Sequence, residues 1–155
     1  ENVFVVRAKD RQSAVRGGST FGYDYEALAH SAPHKRMEPF LFTFPRDIGE
    51  EIYFQHTGQE FIFVLSGKVR FLVENREWIL GPGDSVFFDS SLPHRGESMG
   101  GEAKALVVIY SPEFAAEEKD TLDHEYGDRK SRGRHGRLHT ITEPIRTRLS
   151  YPQKS

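Results

Sequence analysis

An all-β fold is predicted for this chain of 155 residues. From residue 3 to residue 110, short runs of β-branched and aromatic residues are separated by Gly, Pro and Asp, which is the pattern of strands joined by turns. Before Pro112 no window shows the sustained apolar period of a helix. Two packed antiparallel sheets, or a barrel flattened into a jelly roll, accommodate so many short strands.

The predicted strands follow one another at short intervals, with turn residues between them. Gly81-Pro82-Gly83-Asp84, for example, supplies the Gly, Pro and Asp that tight turns favour. The run Lys68–Glu74 alternates clearly and places Val69, Phe71 and Val73 on one expected core face. The predicted strands are Val3–Ala8, Phe21–Leu28, Glu38–Phe44, Glu51–Phe54, Glu60–Ser66, Lys68–Glu74, Arg76–Leu80, Ser85–Phe88 and Lys104–Tyr110, with a shorter one after His94.

Downstream of the strands the composition changes. Pro112–Glu125 is predicted to form a short helix, and residues 127–148 form an Arg-rich basic arm. The predicted organisation is a β-barrel over residues 1–112, with N-terminal strands in 3–44 and the core motifs in 51–110, followed by a C-terminal helix and arm over 113–155. We expect the arm to pack on the barrel or on a dimer partner through Leu138, Ile141 and Ile145.

Composition excludes several classes of protein. The 21 Lys and Arg and 23 Asp and Glu leave a net charge of -2, so no global field attracts nucleic acid or an anionic membrane. Because the chain has no Cys, any metal must be held by His and carboxylate oxygen. No apolar run approaches the roughly 20 residues of a membrane span, and the first residues lack the architecture of a signal peptide. We expect a cytoplasmic protein with no membrane partner.

Three residues carry the candidate chemistry. His56 and Glu60 lie just before the apolar run Phe61–Leu65, and His94 precedes a later predicted strand. Thr57-Gly58 allows a turn that brings His56 and Glu60 to one side, and a hairpin fold returns His94 to face them. A carboxylate beside such an apolar run is costly to bury unless a positive partner pairs with it. Two imidazoles and one carboxylate are a minimal set for a divalent metal with open coordination positions.

Around these residues, the sequence from residue 3 to residue 110 resembles the cupin family. In the first cupin motif, two His separated by one residue precede a Glu and then a Gly, and His56, Glu60 and Gly67 match it in part. The second motif is matched by Gly81-Pro82-Gly83 and His94. The resemblance implies a double-stranded β-helix, which is the jelly-roll barrel of that family, with His56, Glu60 and His94 at the metal-ligand positions.

Phe54 departs from the motif, since it stands two positions before His56, where the full motif has its first His. The reduced set resembles that of cupin enzymes with non-haem iron, in which two His and one carboxylate leave positions for substrate and O₂. This resemblance implies a mononuclear non-haem metal enzyme, dioxygenase-like or epoxidase-like, acting on a small organic acid. The candidate ions are divalent Fe, Mn, Ni and Zn.

A second resemblance favours a different function. Tyr23–Ala29, Arg36–Phe40, Glu60–Gly67 and Phe88–His94 resemble the C-terminal cupin half of XRE-type transcriptional regulators. In those regulators the cupin senses a small molecule and dimerises, while an N-terminal helix-turn-helix binds DNA. The resemblance implies a homodimeric small-ligand-sensing module, with DNA contact only through a helix-turn-helix upstream of Glu1. On the sequence we favour this sensing module over the enzyme.

The expected ligand pocket lies inside the barrel, with Phe42, Phe44, Phe54 and Phe88 as its lining. A plainer interpretation stays open, in which an Arg pairs with Glu60 and the two histidines are polar residues at the barrel mouth. A third class, a purely structural dimerisation domain with an empty barrel, also stays open.

Overall fold

The computed structural model describes residues 2–13, 23–46 and 53–112. The predicted C-terminal helix and basic arm over 113–155 lie outside the described residues. The described residues form one 3₁₀ turn and nine strands, which are numbered in chain order. The turn is Ala8–Asp10, and the strands are β1 Gln12–Ser13, β2 Asp24–Ala27, β3 Met37–Thr43, β4 Gln59–Ser66, β5 Val69–Val73, β6 Arg76–Leu80, β7 Ser85–Asp89, β8 His94–Ser98 and β9 Lys104–Tyr110.

The strands form two antiparallel sheets. The larger sheet has the order β1-β2-β3-β9-β4-β7, and the smaller has the order β6-β5-β8. Strand β9 lies between β3 and β4, so the last described strand joins the N-terminal strands to the rest of the large sheet. The fold class predicted from the sequence, an all-β double-stranded β-helix, is confirmed.

The core lies between the inner faces of the two sheets. Val69, Phe71 and Val73 are 0%, 1% and 3% exposed, as the alternation in β5 predicts. The rings of Phe71 in the small sheet and Phe88 in the large sheet have centroids 5.1 Å apart. Apolar side chains from both sheets thus fill the space between them, and their burial stabilises the fold by about 25 cal/mol per Å² of apolar surface removed from water.

The prediction of a strand at Val3–Ala8 is wrong. Residues 2–7 have no strand, and Val3 and Val5 are 79% and 66% exposed. The first strand is instead β1, whose Gln12 and Ser13 pair with β2. β-branched residues fit a pleated, half-buried surface, and Val3 and Val5 lie where the described residues provide neither burial nor a neighbouring strand.

The predicted strand at Glu51–Phe54 is represented by its last two residues, since residues 51–52 are not described. Phe54 forms an isolated antiparallel bridge with His94. The amide of Phe54 donates to the carbonyl of His94 at 2.7 Å, and the amide of His94 donates back to the carbonyl of Phe54 at 2.9 Å. This bridge places Phe54 directly beside the start of β8.

Candidate metal centre

Glu60 is the second residue of β4 and points into the barrel. In the large sheet it lies opposite Phe88 on one side and Ile109 on the other. Its neighbours in β4 alternate in burial, with Ile62 and Val64 inward and Phe61 less buried, so the period of the strand directs the carboxylate inward. The residue is 5% exposed. An ionised group in this position requires a charged or hydrogen-bonding partner.

His94 is the first residue of β8 and is also 5% exposed. Its Nδ1 lies 2.8 Å from the carbonyl oxygen of Leu92. Because a carbonyl only accepts, Nδ1 carries the proton in this contact and Nε2 faces the cavity. The ring of Phe88 packs edge-on against the imidazole at 4.7 Å. Orientation of a histidine through its second nitrogen is the arrangement that metal-binding imidazoles require.

His56 lies in the loop that leads into β4. Its amide donates to the carbonyl of Ser90 at 2.9 Å, and the amide of Ser90 donates to the carbonyl of Gly58 at 3.0 Å. Gly58 has φ of 126°, in the region that favours glycine. The predicted turn at Thr57-Gly58 is therefore present, and it brings His56 to the same side of the chain as Glu60.

The structure brings the three predicted ligands together. The Nε2 atoms of His56 and His94 lie 3.2 and 3.4 Å from the same oxygen, Oε2 of Glu60. One ligand atom from each residue can be chosen so that all three lie within 4.8 Å of one another. In the part of the chain that the structure describes, Glu60 pairs with these two histidines and not with an arginine. This set of two imidazoles and one buried carboxylate suits a divalent metal ion.

The carboxylate is ionised at neutral pH. Burial by itself raises the pKa of Glu60, but hydrogen bonds and charge interactions with His56 and His94 outweigh it and lower the pKa to about 2. The ionised carboxylate between the two imidazoles supplies the negative charge that a divalent ion needs at this place.

The centre opens into a pocket inside the barrel, called here the barrel cavity. Of the predicted lining residues, Phe42, Phe44 and Phe54 line it, whereas Phe88 packs against His94 and Phe71 and is not among the lining residues. A ligand-binding role for any of them stays a prediction. The other lining residues are Tyr23, Tyr25, Phe40, His56, Glu60, Ile62, Phe71, His94, Arg95, Gly96 and Ile109.

Two lining tyrosines were not predicted as pocket residues. The hydroxyl of Tyr23 donates to the carbonyl of Gly96 at 2.5 Å, and the ring of Tyr25 stacks on Phe42 with centroids 4.2 Å apart. Tyr25 is paired directly with Phe42 across β2 and β3. The signal in the sequence is the period of two that Tyr23 and Tyr25 share with Phe40, Phe42 and Phe44, because that period places all five on the inner face of paired strands.

The fold and the site define a class of protein. Residues 40–110 match the family model described as the cupin domain. This segment runs from β3 to the end of β9 and contains all three residues of the metal centre. The segment is therefore similar to a cupin domain, in agreement with the resemblance carried by its two motifs.

Particular relatives come from solved structures of hydroxypropylphosphonic acid epoxidase, HppE. This chain is 25% identical to the enzyme from S. wedmorenis in complex with fosfomycin, with a TM-score of 0.56. The aligned part covers 70% of this chain and 59% of that one. Fe(II)-HppE with alternative substrate (S)-1-HPP is 26% identical, with a TM-score of 0.57 and coverage of 70% and 60%. Co(II) HppE in complex with substrate is 25% identical, with a TM-score of 0.54, and the aligned part covers 70% of this chain and 58% of that one.

The chain thus spans about three-fifths of the length of these epoxidase structures. No curated protein matches it.

Proposed function

We propose that this chain is a mononuclear non-haem metal enzyme that binds one divalent ion on His56, Glu60 and His94 and acts on a small organic acid in the barrel cavity. The observation that carries the proposal is the convergence of one buried and one half-buried imidazole on one buried carboxylate among the residues that line the barrel cavity. The likeness to Fe(II) and Co(II) forms of an epoxidase supports it.

Each residue of the centre has a separate task. Glu60 supplies the negative charge, His94 is held in place by its Leu92 contact, and His56 closes the centre from the loop before β4. The chemistry that a bound divalent ion supplies at such a site is Lewis acidity and, for ferrous iron, reaction with dioxygen. The aromatic walls exclude water and leave the open side of the centre to an organic ligand.

A second candidate is a metal-dependent sensing module, the function that the sequence favoured. The lining of the cavity supports it, because among the described lining residues the centre itself supplies the only groups suited to act as a base. Burial raises the pKa of both Tyr23 and Tyr25, and their hydroxyls therefore keep their protons. A pocket without a further base can bind a ligand without transforming it.

Other aspects of the sequence interpretation stay predictions. These are a homodimer, a cytoplasmic location and a helix-turn-helix upstream of Glu1. In the described part of the chain, no helix has the length and apolar character needed to cross a membrane.

Metal uptake and oxygen consumption test the proposal. We expect the metal-free protein to bind one equivalent of Fe(II) or Co(II) under anaerobic conditions, measured by calorimetry and by elemental analysis after desalting. Substitution His34→Asn is the matched control, since His34 is an exposed histidine with φ of 56° and Asn tolerates that conformation. Wild type and control should bind equally.

The outcomes separate the two candidates. Oxygen uptake by the Fe(II)-loaded protein with 2-hydroxy acids, above that of the metal-free protein, supports the enzyme. Metal and acid binding without oxygen uptake supports the sensing module. Less than one-tenth of an equivalent of metal on the wild type contradicts both.

Substitution Phe54→His is expected to tighten metal binding by about tenfold or more. Phe54 and His94 are paired directly, so their side chains lie on the same side, and a histidine at position 54 can add a fourth nitrogen ligand. The same change removes a ring that lies edge-on to Tyr23 at 5.3 Å, so the free energy of unfolding should fall.

Phe54→Leu is the matched control, because leucine keeps the position apolar but offers no ligand. Competition with a metallochromic chelator gives the affinities of both variants. If Phe54→His binds metal no more tightly than Phe54→Leu, the pairing of residues 54 and 94 does not direct the side chain at position 54 towards the metal centre.

A further inference from the structure

We propose that the barrel cavity selects a flat, aromatic 2-hydroxy or 2-oxo acid with a single negative charge, and that it rejects phosphonates. This inference rests on the metal centre of the proposed function and specifies its ligand class. It sets the chain apart from the hydroxypropylphosphonic acid epoxidase that it resembles, whose name indicates a phosphonic acid ligand.

The first argument is the chemistry of the walls. Apart from the centre, the cavity is lined chiefly by aromatic and aliphatic side chains, among them Tyr25, Phe40, Phe42 and Phe44. Neighbouring rings in β3 and just after it have centroids about 6 Å apart, 6.1 Å from Phe40 to Phe42 and 6.0 Å from Phe42 to Phe44. Such a wall stabilises a ligand by removing apolar surface from water and by ring contacts.

The second argument is charge. A divalent cation and the Glu60 carboxylate together carry one net positive charge, which a monoanion neutralises. A phosphonate dianion leaves an excess negative charge in a cavity with few polar groups, and burying such a charge is costly.

The third argument is the place of the nearest cation. Among the described residues that line the cavity, Arg95 is the only lysine or arginine. Its guanidinium carbon lies 5.2 Å from the centroid of the Tyr53 ring, and Tyr53 is not a lining residue. The described cavity therefore lacks the cluster of cationic donors by which proteins hold phosphate-like groups.

Tyr25 supplies the polar contact that an organic acid needs. Its ring lies against Phe42 and lines the cavity, and its hydroxyl makes no hydrogen bond within the described residues. We assign this hydroxyl as a donor to an oxygen of the acid. A 2-hydroxy acid then uses its two oxygens at the open positions of the centre and packs its side chain against the aromatic wall.

Three acids of matched chemistry test the inference. Phenyllactate and lactate share the chelating group and differ in the ring, while 1-hydroxyethylphosphonate replaces the carboxylate of lactate with a phosphonate. With Co(II)-loaded protein, calorimetry should show phenyllactate binding at least about tenfold more tightly than lactate, and the phosphonate at least about tenfold more weakly than lactate.

Two variants locate the contacts. Phe42→Leu should bring the affinities for phenyllactate and lactate closer together, and Tyr25→Phe should weaken phenyllactate binding about fivefold. Both should leave Co(II) affinity unchanged, because neither residue is a ligand of the centre. An unchanged phenyllactate affinity in Tyr25→Phe would overturn the assignment of its hydroxyl.

Failure of the inference is distinct from failure of the proposed function. A protein that takes up no Co(II) contradicts the metal centre itself. A Co(II)-loaded protein that does not bind phenyllactate, or that binds the phosphonate as tightly as phenyllactate, overturns the ligand class and leaves the metal centre in place.

Discussion

Glu60→Gln is expected to weaken binding of Fe(II) or Co(II) by at least about 100-fold. The amide keeps the shape of the side chain but removes the only negative charge of the centre, and loss of a mere supporting residue around a metal already costs 10–100-fold. His94→Ala should have an effect of the same size, because it removes the imidazole that Leu92 and Phe88 hold in place. Calorimetric titration of the metal-free variants measures both.

Glu102→Gln is the matched control for charge, since Glu102 is exposed and lies next to Lys104, outside the centre. It should bind metal like the wild type. Affinity in Glu60→Gln within threefold of the wild type would show that the buried carboxylate is not a ligand, and the interpretation of His56, Glu60 and His94 as a metal centre would be wrong.

In the absence of metal, the stability difference between wild type and Glu60→Gln is expected to depend on pH. The pKa of Glu60 is about 2 in the folded protein, against 4.5 for an unperturbed glutamate. The ionised carboxylate therefore contributes stability above pH 4.5, and this stability is lost as the pH falls towards 2. Urea unfolding in the presence of a chelator should therefore show the largest difference between wild type and Glu60→Gln above pH 4.5. A difference that grows on acidification would contradict this assignment.

Gly58→Ala is expected to lower the free energy of unfolding by about 3 kcal/mol or more and to weaken metal binding as well. A Cβ at this position would lie 1.9 Å from the carbonyl oxygen of Tyr110, which is far below any tolerated contact, and φ of 126° is unfavourable for alanine. The loop must move away from β9, and His56 must move with it. Urea denaturation and metal titration measure the two effects.

Two other glycines separate the causes. Gly100 has φ of 83° but open space around its Cβ position, and Gly101 has open space and no positive φ. Gly100→Ala should cost about 1 kcal/mol, and Gly101→Ala should stay within about 0.5 kcal/mol of the wild type. If Gly58→Ala is as stable as Gly101→Ala, the turn does not depend on contact with β9.

Strand prediction succeeded where apolar periodicity and burial agree. β4 and β5 alternate in sequence and in burial, and Val69, Phe71 and Val73 lie in the core as expected. It failed at Val3–Ala8, where β-branched residues are present but the described fold provides no surface to cover them. Local preference indicates that a segment can form a strand, whereas pairing decides whether it does.

The candidate centre followed from residue type and spacing, but its surroundings did not. The sequence by itself determined the all-β class, the turn at Gly58 and the candidate trio of His56, Glu60 and His94, because strand period and turn chemistry are local properties of the chain.

Only the tertiary structure decided that both imidazoles meet one oxygen of Glu60, that Phe88 supports His94 instead of lining the cavity, and that Tyr23 and Tyr25 form part of the wall. These are contacts between strands distant in sequence, and their geometry depends on the register of two sheets and on the packing between them. No single segment of the chain contains that information.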